Sequence, residues 1–138
     1  MAEYTATALQ TVDVGNSVIF TATPIPGKRC VIHREGSGIF ILRGIGNTCR
    51  ARFRVTFNGN ITGETAQTEV ALAIALEGEA IHSTRMVSTP ATADVLGNVS
   101  ASTFVDVPAG VGFSVSVRNA GTTALDVADA NLIIERVA

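Results

Sequence analysis

Apolar and polar residues alternate over short stretches of this chain, and turn residues separate the stretches. The pattern is clearest in Ile39–Leu42, Arg50–Phe57, Val70–Leu76 and Phe113–Val117. A period of two places alternate side chains on opposite faces of an extended strand. In the second stretch Ala51, Phe53, Val55 and Phe57 form the apolar face, and Arg50, Arg52, Arg54 and Thr56 form the polar one. In the third, Val70, Leu72, Ile74 and Leu76 fall at period two. Glu77-Gly78-Glu79 closes that run too early for a helix, so a strand is expected there.

The remaining elements are read from the spacing of turn signals. Thr5–Val14 is moderately strand-prone and ends at Gly15-Asn16. Ser17–Thr23 is a strand stopped by Pro24-Ile25-Pro26-Gly27. Cys30–Arg34 and Ile39–Arg43 flank Gly36-Ser37-Gly38 and are expected to form a hairpin. Arg50–Asn60 reads as the strongest strand, ending at Asn58-Gly59. Ile81–Ser88, Asn98–Val107, Phe113–Val117, Leu125–Val127 and Asn131–Val137 complete the set. Eight to ten short strands in 138 residues predict one all-β antiparallel sandwich. Residues 1–14 read as an N-terminal arm and residues 15–138 as the domain.

Composition narrows the function classes. Charged residues make up 16% of the chain, which leaves much of the surface neutral and suits burial against other subunits. Net charge is −2, so nothing draws the whole molecule toward nucleic acid or an anionic membrane. The charge is uneven: Lys28 to Arg54 carries a balance of +6 and the rest −8. One Tyr and no Trp make a poor stacking platform for bases or sugars. No secretory signal is read in the first thirty residues, and no apolar run nears the ~20 residues that span a bilayer.

Candidate chemistry is sparse. There is no Gly-x-Ser-x-Gly elbow, no His-Glu-x-x-His and no phosphate-cradling loop, so the chain is read as non-enzymatic and without a cofactor. Cys30, His33, Cys49 and His82 match no zinc spacing. Cys49 reads as a buried thiol, with a Cys30–Cys49 bridge as the alternative. Two features point to contacts with another chain. Arg50, Arg52 and Arg54 line one strand face, and like charges in a row call for opposed acids, such as Glu77, Glu79 or Glu135 across an interface. An anionic ligand or a solvated face are the other readings of that ladder. Ala71, Ala73 and Ala75 make a flat face that needs a cover, expected to be a neighbouring subunit, with the domain's own loops as the alternative.

The chain also resembles a known family. Gly15–Phe20, the hairpin leading into Ile39–Gly44, Ala51–Phe57 with Asn58-Gly59-Asn60, Val70–Gly78, and the ending Arg118–Gly121 then Ala130–Arg136 are similar to the TNF-like jelly roll. More closely, they resemble the C-terminal domains of bacterial collagen-like spore-surface proteins and related phage virion proteins. The resemblance implies a homotrimer whose inner sheets meet on a threefold axis. It also implies a structural role in a larger particle, such as a phage head decoration or a fibre cap. No Gly-X-Y stalk precedes the domain, so a compact subunit docked on a capsid or fibre protein through residues 1–14 is expected. The expected localisation is the virion, assembled in the host cytoplasm. A receptor- or glycan-binding knob, using loops Gly63–Glu69 and Ala91–Gly97, is the alternative, as is a spore or cell-surface trimer.

Overall fold

The computed structural model describes residues 2–27, 31–44, 51–108 and 111–137. Within them run twelve strands: β1 (Ala2–Ala6), β2 (Gln10–Val12), β3 (Ala22–Ile25), β4 (Val31–His33), β5 (Phe40–Arg43), β6 (Ala51–Gly63), β7 (Val70–Leu76), β8 (Glu79–Ala80), β9 (Met86–Ser88), β10 (Gly97–Val107), β11 (Gly112–Asn119) and β12 (Leu125–Arg136). A single 3₁₀ turn, His82–Thr84, joins β8 to β9.

The strands form two antiparallel sheets. The first has the order β10-β6-β12-β1-β3, with β2 also on β12. The second has the order β4-β5-β11-β7-β8, with β9 also on β7. Alternation decides which side chains meet between them. Phe53, Val55 and Phe57 of β6 and Leu132 and Ile134 of β12 face inward from the first sheet. Leu42, Leu72, Ile74 and Val117 face them from the second, and all are fully or almost fully buried. Aromatic rings fill the middle: Phe20 meets Phe40 at 5.4 Å and Phe57 at 6.4 Å, both edge to face. His33 stacks on Phe40 at 4.2 Å and spends its Nε2 on the Ser37 carbonyl, 2.9 Å away, so this histidine is part of the packing.

The all-β antiparallel sandwich expected from the alternation is what forms, and β7 is a strand as its period of two requires. Leu76↔Glu79 closes a two-residue hairpin in which Glu77 and Gly78 both have positive φ, 53° and 83°. That is the primed turn whose twist suits paired strands. The hairpin around Gly36 is also present, with Val31 opposite Leu42 and Gly36 at φ 87°.

Four readings are corrected. First, residues 2–14 do not stand off from the domain as an arm. β1 lies between β12 and β3, β2 lies on β12, and Ala2, Tyr4, Ala6 and Val12 are core residues. Second, Asn58-Gly59 does not end its strand. β6 runs on to Gly63, because residues 60–63 stay paired with β12 and, at Asn60 and Ile61, with β10; the Phe57 ring folds over Gly59, where a Cβ would come within 2.9 Å of it. Third, Leu125–Val127 and Asn131–Val137 are one strand, bent by a bulge between Ala128 and Asn131 where Asp129 has φ 52°. Fourth, Ile81–Ser88 is interrupted. The buried Thr84 turns its hydroxyl to accept the Ile74 N–H at 3.0 Å and to donate to the Ile81 carbonyl at 2.7 Å, standing in for a ladder residue.

Thr84→Val keeps the shape and orphans the Ile74 N–H. Denaturant unfolding should show a loss of about 1–3 kcal/mol. An unchanged midpoint would mean that the hydroxyl does not carry the junction of β8 and β9.

Candidate functional site

The outer face of the first sheet carries the arginine ladder. Arg50 lies outside the described residues. Arg52 and Arg54 point outward from β6, since their neighbours Ala51, Phe53 and Val55 are buried inside. The register sets Asp106 opposite Arg52 and Glu135 opposite Arg54. Arg52 holds Asp106 with two hydrogen bonds, 2.8 and 3.2 Å, and this raises its already high pKa. Arg54 pairs with Glu135 at 3.0 Å. An opposed acid was therefore needed, and Glu135 is one, but it belongs to the same chain. Glu77 instead accepts the Ser114 N–H, and Glu79 sits in β8. Both ion pairs are open to water, where such pairs add little stability.

Below the ladder the face is amide and hydroxyl. Thr56 meets Ser102, Asn98 bonds Asn58 and Asn60, Asn60 bonds Asp129, and Asn131 bonds Glu3. Apolar residues interrupt it: Ile133 lies opposite Thr56 and Glu3, Ile25 lies opposite Glu3, and Phe104 is the most exposed of the three. Phe104 is 61% exposed, opposite Arg54, and with Arg52 and Asp106 it lines a shallow hollow of about 320 Å³. The signal was in the sequence: Phe104 occupies the register of Ser100, Ser102 and Asp106, the outward set of its strand.

The alanine stripe is on the outer face of the second sheet, as its register requires. Val70, Leu72 and Ile74 belong to the core cluster and Ala71, Ala73 and Ala75 do not. Yet the three alanines are at most 1% exposed in a single chain. The reading that a neighbouring copy must cover them is corrected, because the chain's own residues do so. Ala120 and Gly121 close on Ala71, with the Ala120 N–H bonded to the Ala71 carbonyl. Ala75 is flanked by Ser116 and Ala80. Arg118 stands opposite Ala73 and donates to the carbonyl of Gly78 at the β7–β8 turn, so its stem passes over the outer face of β7. Small side chains are what let an arginine lie flat there.

The loops considered for recognition pack on each other. The Gln67 N–H donates to the Pro90 carbonyl at 2.7 Å, and the Asp94 N–H to the Gly63 carbonyl at 3.2 Å. Beside them Gly63, Glu64, Thr65, Thr68 and Thr123 border a hollow of about 320 Å³. Cys30 and Cys49 lie outside the described residues, so their pairing is not addressed. Among the described residues no group of three His, Cys, Asp or Glu is placed to hold a metal ion. No helix among them is long and apolar enough to cross a membrane.

No family model and no curated protein matches the chain. Among solved structures it is similar to the globular domain of zebrafish complement 1qA protein. The TM-score is 0.64 at 12% identity, covering 96% of this chain and 94% of that one. At that identity the likeness establishes the fold, a C1q-like and TNF-like jelly-roll sandwich.

Ala73→Leu forces a branched side chain beneath Arg118. Chemical unfolding should show a loss of about 1–3 kcal/mol from overpacking. A stability equal to the parent's would mean that the stripe is open to solvent.

Proposed function

We propose that the chain is a non-enzymatic structural protein that works as a homotrimer within a larger assembly. The assembly is a bacteriophage virion, in which the trimer decorates the head or caps a fibre. The trimer is supported by the C1q-like fold, which spans nearly the whole chain and typically assembles in threes. The virion is supported by the resemblance of the sequence to phage virion proteins.

The observation that carries the reading is Phe104. A large ring that is 61% exposed on a mostly polar sheet face gains by leaving water. It is ringed by Arg52, Arg54 and Asp106, and an aromatic anchor beside arginines is the composition of an interface centre. The pairs Arg52–Asp106 and Arg54–Glu135 are already formed within the chain, so closing a neighbour over them leaves no charge unpaired. In this reading Arg52 and Arg54 border the subunit interface, and the covered alanine stripe takes no part.

A second reading, a recognition knob, is favoured by the packed pair of loops and the threonine-bordered hollow between Gly63 and Thr123. Threonine hydroxyls and backbone groups at a loop cluster suit a neutral polar ligand such as a sugar. Such a knob can also be trimeric, so the two readings share the association step.

Light scattering on the purified chain should give a mass three times that of the 14.3 kDa protomer. Phe104→Glu should give the single-chain mass while keeping a β-sheet circular dichroism spectrum. A parent chain that stays monomeric at micromolar concentration contradicts the proposal.

A further inference from the structure

A second hollow, of about 260 Å³, lies on the outer face of the second sheet. Ala73, Ala80, Gly15, Arg118, Arg85 and His82 are among the residues that line it. Arg118 is the unusual member. It is half-buried, and among the described residues its guanidinium donates to a neutral carbonyl, that of Gly78. Among the described residues no carboxylate lies within ion-pair distance of it. A cation taken partly out of water without a counter-ion is held at a cost. Arg85 is anchored by Glu69 at 2.9 Å, which fixes its guanidinium at the rim. His82 is exposed in the 3₁₀ turn.

We propose that this hollow binds a small oxyanion group, a phosphate, sulfate or carboxylate, between the guanidinium groups of Arg118 and Arg85. Three features argue for that class. Arg118 and Arg85 both line the hollow and no acid does. Glu77, at the β7–β8 turn, is turned to the Ser114 N–H. Planar guanidinium groups match oxyanions with paired N–H donors. The volume is below the ~300–1,000 Å³ of pockets that take drug-sized molecules, so the ligand is a single anionic head and not a large body. The small lining residues also have a reason: Ala73 and Ala80 leave the space empty, and Gly15, at φ 83°, lies against the Arg118 guanidinium with no side chain in the way.

The inference does not depend on the trimer, because the hollow is on the sheet opposite Phe104. Isothermal titration calorimetry tests it with inorganic phosphate, sodium sulfate and glucuronic acid, each at constant ionic strength. At least one should bind with a dissociation constant of about 1–10 mM. Arg118→Gln should weaken that binding at least tenfold, and Arg85→Gln at least threefold; the second variant leaves the Gly78 contact intact and so separates binding from folding. Arg34→Gln, an exposed turn residue away from the hollow, should bind as the parent does. Tighter binding of phosphate or sulfate would identify an inorganic or phosphorylated ligand, and tighter binding of glucuronic acid a sugar acid. No heat from any probe, or equal weakening in Arg34→Gln, would overturn the proposal.

Discussion

The pairing of the last strand with the first is the constraint on which the rest depends. β12 lies between β6 on one side and β1 with β2 on the other, so both ends of the chain share one ladder. The bulge at Asp129 lets one strand serve both: its start pairs with β2, and beyond the bend it pairs with β1. Leu132 and Ile134 then reach the core, and Glu135 is delivered to Arg54. Non-local pairing of this kind is slow to form, but once formed it makes a single cooperative unit.

The two outer faces differ in how they dispose of charge and apolar surface. On the first sheet every described arginine of the ladder meets an acid from its own chain, and one phenylalanine is left in water. On the second, an arginine covers the apolar stripe and has no acid of its own. Our two proposals place a second body on each face: a neighbouring copy at Phe104, and an anion at Arg118.

Much of this was legible in the sequence because it rests on local alternation. β6, β7, the Gly36 hairpin and the sandwich follow from period two and turn residues. What was not legible depends on distant partners. Nothing local says that Arg118 will lie over Ala73, so a self-covered stripe reads as a bare one. The need for an acid opposite Arg54 was visible, but whether Glu135 comes from the same chain is a matter of register. Asn58-Gly59 reads as a turn until residues 60–63 are seen to stay paired with β12. Thr84 looks like any strand threonine, and its hydroxyl acquires a role only where β7 runs out of backbone partner. Residues 1–14 read as an arm because their strand signal is moderate, while the burial of Ala2, Tyr4, Ala6 and Val12 comes from distant partners, pairing with β12 and β3 and packing on His33 and Phe40.

The account is tested most directly by removing residues 2–12 and following unfolding in denaturant. It predicts that the truncated chain loses its sharp transition, since β12 would lose one neighbour along its length and Tyr4 and Val12 would leave the core. A truncated chain that still unfolds in one step, with a thermal midpoint within about 4 °C of the parent's, would contradict it.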